Sequence, residues 1–428
     1  MIGRQPALDD VEGPPSEDSS KPARAEIKRD LIRALLLAVG VTCAYVLSIF
    51  TIGRYYTPIS QFDELAQAFL QGHLNLENPS TTHDLTGSGG KWYVPFPPLP
   101  ALMLLPAVAL LGVEHTYTTA FECAIGGANV ALAYLIVRAL SRRGLSQATQ
   151  LHAVLLALMV GFGTVHWYMS IQGSVWFLGQ VCALMFAFLA VWLAVEFRAT
   201  TWAGVALAIA MLGRPTMVLM APLLIALCVI ASRGTGTTDR SAVLRRVAAA
   251  LAPAAVSVGL LAAYNYARFG DPTDFGYFDQ NVDFVLRTVL DKYGQFDLHY
   301  VPHNLWSMFL AGPVWEPATG TMHPHVDGMS ILLTTPALIF LVFTFRKTTL
   351  NVGAWISVAL LMVPLLLYYN TGWVQFGYRF MLDAMPCLLV LLATYVNKDT
   401  SKWFWALIGC GVLMNAWGVA WYFPPDLN

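Results

Sequence analysis

Residues 174–196 read SVWFLGQVCALMFAFLAVWLAVE, a stretch whose one charged residue, Glu196, stands at its end. A helix rises about 1.5 Å per residue, so about 20 apolar residues cross the hydrocarbon layer of a bilayer, and this stretch is long enough. Further apolar runs read the same way at 31–52, 117–140, 148–168, 200–213, 215–232, 246–267, 329–345, 350–369, 380–396 and 403–422. Across the chain 57% of residues are hydrophobic and 12% are charged, against about 25% charged in a soluble domain. The runs recur almost from end to end, so the sequence predicts one all-α polytopic membrane domain with about eleven transmembrane helices. A net charge of −1 says little about partners, because placement of Lys and Arg decides topology rather than their sum.

Residues 1–30 are polar and rich in Pro, Ser, Asp and Glu, leaving too little apolar surface to fold. They are expected to form a disordered cytoplasmic tail ahead of a membrane domain over 31–428. Residues 93–112 are apolar too, but Pro95, Pro97, Pro98, Pro100 and Pro106 crowd them and argue against a straight span. Counting 93–112 as a crossing would carry Arg138, Arg142 and Arg143 outward, against the positive-inside rule. Read as a helix lying in the outer interface, it leaves 18 of the 25 basic residues on the cytoplasmic side. That orientation predicts a cell-membrane protein with a cytoplasmic N-terminus. Two long segments, 53–116 and 269–328, then face outward while the inner connections are short, so any active site is expected on the outer face. The basic residues left there are Arg54, Lys91, Arg214, Arg268, Arg287, Lys292 and Arg379.

The six cysteines lie inside apolar runs, without metal or disulfide spacing, and read as small buried hydrophobes. No Walker loop, dinucleotide fingerprint or nucleophile elbow is present, so a soluble nucleotide is not expected as an energy source, nor a nucleic acid as partner. The first outer segment opens with Gln61 to Gly72, where Phe62, Leu65, Ala66, Phe69 and Leu70 recur at helical spacing. This predicts a short amphipathic helix at the membrane surface, stopped by Gly72, with Asp63 and Glu64 on or beside its polar face. Two acids in a first turn complement the helix dipole, and that reading stands beside any chemical one.

The order of several motifs resembles bacterial glycosyltransferases of the GT-C superfamily, among them protein O-mannosyltransferases and the aminoarabinose transferases that modify lipid A. The resemblance rests on Asp63-Glu64 after the first run, Ala66-x-x-Phe69-Leu70-x-Gly72, Asp84, and Trp92 to Leu102. It continues through Gly213-Arg214-Pro215, Tyr264 to Pro272, and Gln375 to Phe380. It implies an enzyme, with a GT-C-like fold, that moves a hexose or pentose from a polyprenyl-phosphate carrier to a glycan, lipid or protein acceptor. It also implies a first-loop acid as catalytic base: Asp63 or Glu64, with Asp84 standing in for the second acid, which the family carries before its Pro-Pro pair and which Val94-Pro95-Phe96 replaces here.

Such a transfer needs a base for a poorly acidic hydroxyl and cations for a departing lipid phosphate. Arginine forks suit phosphate, which makes Arg214, Arg268 and Arg379 candidates for it, beside the alternative of snorkelling to headgroups. Asp383 follows Arg379 by four residues, so an intrahelical pair is expected. His325, Trp315 and Tyr378 are candidates to touch the sugar, and Trp306 and Tyr277 could stack on it or serve as interfacial anchors. His323-Pro324-His325-Val326-Asp327 contains imidazoles and a carboxylate able to ligate a divalent cation, the one cofactor the sequence could hold. The competing reading is a transporter or flippase for a lipid or small solute, which usually shows the internal repeats that this chain lacks.

Overall fold

A computed structural model describes residues 20–52, 59–234, 236, 239–372 and 375–421, with side chains from residue 24 onward. Residues 1–19 of the expected tail and Arg54 lie outside the described residues.

The helices in chain order are α1 (Ser20–Ile52), α2 (Phe62–Leu70), α3 (Leu99–Leu111), α4 (Thr118–Arg142), α5 (Gln150–Phe162), α6 (His166–Met169), α7 (Val175–Glu196) and α8 (Thr200–Met211). They continue as α9 (Ala221–Arg233), α10 (Arg240–Phe269), α11 (Phe284–Tyr293), α12 (Val301–Phe309), α13 (Ile331–Thr334), α14 (Thr349–Leu367), α15 (Met385–Tyr395) and α16 (Lys402–Trp421). Tighter 3₁₀ turns over Pro215–Met220, Pro336–Thr344 and Arg379–Ala384 extend α9, α13 and α15.

Among the described residues, seven helical stretches are long and apolar enough to cross a membrane: 24–52, 118–142, 175–196, 215–233, 240–269, 349–367 and 402–421. The other four predicted runs are also helical but are short or broken, at α5 with α6, at α8, at α13 with its 3₁₀ turn, and at the 3₁₀ turn leading into α15. The fold is that of an all-α polytopic membrane protein.

Hydrogen bonds between helices define two ends. At the basic end, Arg142 at the close of α4 reaches Asp30 of α1 and Glu196 at the close of α7. At the other, the loop end, Thr118 of α4 meets Asp63 at 3.3 Å, and Val175 of α7 donates its N–H to the Ile59 carbonyl at 2.9 Å.

Helix α1 begins at Ser20, so residues 20–30 are helical rather than disordered. The reason is electrostatic. Asp30 is fully buried and accepts from Tyr134 at 2.8 Å, from Arg138 at 3.0 Å and from Arg142, while Glu26 accepts from Arg138 at 2.6 Å. Charge-assisted bonds order turns that composition alone would leave in water.

Two short hairpins interrupt the expected all-helical reading. Strands β1 (Thr86–Ser88) and β2 (Lys91–Tyr93) pair antiparallel around Gly89-Gly90, whose φ values of 56° and 74° suit the two-residue turn that follows strand twist. Strands β3 (Val314–Glu316) and β4 (Thr321–His323) form the second. Because β2 runs to Tyr93 and Pro95, Pro97 and Pro98 lack the N–H that a helix interior needs, α3 starts only at Leu99. Its 13 residues span about 20 Å, too short to cross.

Helix α2 ends as expected, with Gly72 at φ 80° in the left-handed region. Its apolar residues form a second core with Leu85, Val94, Leu99, Leu104 and Leu178. Asp63, expected at the polar face, is only 7% exposed, because α2 is packed under the outer segment rather than laid open on it.

Close helix approach depends on small residues. A methyl on Gly204 of α8 would overlap the Ala250 carbonyl of α10, and one on Gly127 of α4 would stand 2.5 Å from the Ala38 carbonyl oxygen of α1.

Candidate active site

At the loop end the two long segments, 53–116 and 269–328, are stitched together. Asp84 N–H donates to the Asn281 carbonyl at 3.0 Å and Asn281 N–H returns to Leu85 at 2.8 Å. Gln280 donates to the Asp84 carbonyl at 3.1 Å, and Thr86 Oγ1 to the Gly276 carbonyl at 2.7 Å. These bonds fix Asp84 at φ 60°, a left-handed conformation that Asp tolerates better than most residues.

The Asp84 carboxylate is turned toward α7. Trp176 Nε1 donates to Oδ2 at 2.6 Å, and His83 Nε2 lies 3.8 Å from the same oxygen. Oδ1 has no protein hydrogen bond among the described residues. Burial pushes the Asp84 carboxyl above the usual carboxylate range, against the pull of His83, the Trp176 bond and the Arg379 guanidinium.

Two arginines share one aromatic support beside it. The Arg379 guanidinium lies 5.1 Å from the Phe380 ring centroid and 4.7 Å from that of Phe177, and Arg214 lies 5.2 Å from Phe380. Arg214 bonds Asp383 Oδ2 through Nε at 3.1 Å and through its terminal nitrogen at 2.9 Å. Thr216 adds a bond to that oxygen at 3.1 Å, and Gln180 donates to Oδ1 at 2.6 Å and to the Arg379 carbonyl at 3.1 Å. The expected i,i+4 pair between Arg379 and Asp383 is therefore not the ion pair formed. Residues 379–384 are 3₁₀ rather than α, so positions four apart do not stack.

Arg268 has a different job. It is 4% exposed, donates to the Val94 carbonyl at 2.6 Å and to Asn265 at 2.8 Å, and packs on Tyr264 with its carbon 3.8 Å from the ring centroid. It clamps the proline segment to the end of α10. Tyr277 packs edge to face on Phe96 at 6.2 Å; burial raises its phenol while Arg214 and Arg268 pull it down.

Asp63 and Glu64 do not join the arginines. Asp63 Oδ2 accepts from Thr118 at 3.3 Å and Glu64 Oε1 from the Ser80 N–H at 3.1 Å. No described arginine forms an ion pair with either. Tyr378 is buried with its hydroxyl on the Leu365 carbonyl at 3.1 Å. Trp315 is 58% exposed on β3. His325 lies 3.8 Å from Asp327 and meets the Trp306 ring edge to face at 5.0 Å, and His303 lies 3.5 Å from Asp327. His323 instead bonds the Pro324 carbonyl at 2.9 Å and stacks on Trp421. The two imidazoles of the 323–327 string thus face different neighbours, and among the described residues no three His, Cys, Asp or Glu side chains are grouped to hold a metal ion.

Sequence reasoning passed over Trp176 and Gln180, which sit in the apolar run 174–196, and gave Phe380 no role beyond its place in a motif. Glu122 lies in the apolar run 117–140, and sequence alone gives it no single role. Glu122 is fully buried and accepts the Gly173 N–H at 2.5 Å, while Thr119 donates to the Gln172 carbonyl at 3.2 Å. Together they fix the loop that leads into Trp176.

Fold and site together define a polytopic helical membrane protein with a half-buried carboxylate bonded to Trp176 and, on the neighbouring Phe177, one of two guanidinium groups that share the Phe380 ring, at the end that carries its long loops. No family profile and no curated protein matches the chain. Two solved structures of the archaeal oligosaccharyltransferase AglB from Archaeoglobus fulgidus are similar to it, one in complex with an inhibitory peptide and a dolichol-phosphate, the other tethered to an acceptor peptide containing the NVT sequon. Each shares 11% identity and covers 91% of this chain, with TM-scores of 0.44 and 0.43. This chain spans 56% of the length of those structures.

Proposed function

We propose that this protein is an integral membrane glycosyltransferase of GT-C type, which transfers a hexose or pentose from a polyprenyl-phosphate carrier to a glycan, lipid or protein acceptor on the non-cytoplasmic face. The observation that carries the reading is that Asp84 is held by Trp176 of α7 next to Phe177, whose ring bears the Arg379 guanidinium at 4.7 Å, with Arg214 sharing the Phe380 ring.

In the reaction an acceptor oxygen attacks the anomeric carbon as the bond from that carbon to the phosphate oxygen breaks. The acceptor proton passes to Asp84 Oδ1, the oxygen free of protein hydrogen bonds, and the electron pair of the broken bond stays on the phosphate. Trp176 holds the other oxygen, so the carboxylate meets its substrate in one orientation. A positioned base of this kind contributes about 10²–10⁴-fold. The negative charge gathering on the phosphate is met by Arg379 and by the N–H donors of Arg214 that Asp383 leaves unused. Asp63 and Glu64 hold the helix start and the 60–80 loop in this scheme, and Arg268 positions the proline segment.

The test is sugar transfer by purified full-length protein from a polyprenyl-phosphate hexose, comparing Asp84→Asn, Asp63→Asn and Glu64→Gln. Asp84→Asn is expected to lower kcat by at least about 100-fold, with smaller losses in the other two. Full activity in Asp84→Asn with loss in Asp63→Asn would move the base to α2. Lipid scrambling without any sugar transfer would replace the enzyme by a transporter.

A further inference from the structure

The basic end of the bundle holds two sets of arginines with opposite electrostatic surroundings. Arg138 and Arg142 are bound by Asp30, Glu26 and Glu196. Arg143, Arg198 and Arg246 have no carboxylate within ion-pair distance among the described residues. Arg143 donates to the Val195 carbonyl at 3.1 Å and to the Glu196 carbonyl. Arg198, in the short connection from α7 to α8, donates to the Gly234 carbonyl at 2.6 Å, and Arg246 of α10 to Ser232 Oγ at 3.2 Å.

The three are close neighbours. Arg143 is held on the carbonyls two and three residues before Arg198, and Arg246 on Ser232, two residues before the Gly234 that Arg198 binds. Burial lowers the Arg198 pKa below its ordinary value, and the like charges of Arg143 and Arg246 lower it further. Each guanidinium carries five N–H donors, so at least three on each remain beyond the bonds above. Three cations held by carbonyl and hydroxyl bonds, without a counter-charge among the described residues, call for an anion rich in acceptors.

The surroundings are those of a bilayer surface. Phe197, next to Arg198, is 49% exposed, Trp202 on the first turn of α8 is 67% exposed, and Leu244, two residues before Arg246, is 67% exposed. A soluble anion has no use for this apolar rim, whereas an acyl chain lies against it.

We infer that Arg143, Arg198 and Arg246 form a binding site for the phosphate of an anionic lipid headgroup at the basic end of the bundle, opposite the candidate active site. The site joins the ends of α4 and α7, the start of α10 and the α9–α10 connection, so an occupying lipid adds a tie between helices at that end. It stands whether or not the loop end transfers sugar.

The experiment is native mass spectrometry of the full chain released from phosphatidylcholine nanodiscs containing a minor fraction of phosphatidylglycerol. Retained phosphatidylglycerol is expected, and Arg143→Gln, Arg198→Gln and Arg246→Gln should each reduce retention about fivefold, the effect of one arginine at a charged lipid surface. Arg346→Gln, which removes an exposed arginine bonded to the Thr394 carbonyl at the same end, should leave retention unchanged. Arg198→Lys should keep most of it, separating loss of charge from loss of fold. Equal losses in Arg346→Gln and Arg198→Gln would reduce the site to general headgroup attraction and overturn the inference. Displacement by excess inorganic phosphate would reassign the site to a soluble anion, and absence of retained phosphatidylglycerol would dispose of it altogether.

Discussion

Replacing Asp383 by Asn removes the counter-charge of Arg214 while keeping the shape of the site. Asp383 is fully buried and receives Arg214 twice, Thr216 once and Gln180 once. Breaking a buried pair by neutralising one partner typically costs about 3–5 kcal/mol. The Arg214 side chain is 26% exposed, so water recovers part of that loss, and a destabilisation of about 2–3 kcal/mol is expected. Arg214→Gln should cost a similar amount, and the double variant Arg214→Gln/Asp383→Asn less than the two together, with a coupling of about 1–2 kcal/mol. The corresponding cycle with Arg379→Gln should give a coupling below about 0.5 kcal/mol, since Asp383 does not take Arg379 as its ion-pair partner. Equilibrium unfolding in mixed micelles, followed by tryptophan fluorescence, measures all of these variants. A larger coupling to Arg379 than to Arg214 would refute the assignment and restore the intrahelical pairing that a four-residue spacing suggests.

Asp84 gives a prediction of opposite sign for stability and activity. Its folded-state pKa is raised, so the stability it contributes is complete below the unfolded value and is lost as pH rises through the folded one. Asp84→Asn should therefore raise the melting temperature near neutral pH and change it little below about pH 4, even as transfer is lost. The acid limb of kcat/KM for sugar transfer should lie above the value of about 3.9 of a free aspartate, and a limb at or below that value would remove Asp84 from the role of base. Gly204→Ala should destabilise by about 1–3 kcal/mol, because the added methyl meets the backbone of α10 rather than a movable side chain, and a neutral result by thermal unfolding would mean that the helices part freely. Asp30→Asn should loosen the first three turns of α1, seen as faster proteolysis of the 20–30 segment without loss of the remaining fold.

The helices were legible because length and apolarity decide them, and runs such as 174–196 need no partner to be recognised. The order within residues 20–30 was not legible, since it comes from Arg138 and Arg142, more than a hundred residues away. Candidate arginines were readable as charges left outside, but their roles were not. Arg268 and Arg214 look alike in sequence, yet one binds a backbone carbonyl of the proline segment and the other a buried carboxylate. Asp84 stood out only through resemblance, because a lone acid in a loop has no periodicity; its significance comes from Asn281, Trp176 and Arg379. The Asp63-Glu64 pair had a stronger local signal, and the fold turns those side chains toward Thr118 and Ser80.

The stitching of Asp84 to Asn281 and Gln280 has a consequence for biosynthesis. The carboxylate emerges early from the ribosome, but the strand-like contacts that set its backbone wait for α10 to insert, and the Arg379 guanidinium comes a further hundred residues later. A nascent or prematurely released chain thus carries Asp84 without Arg379, and the arrangement on which the proposed transfer rests is assembled only after α14 has been made. It arrives as one late event rather than loop by loop.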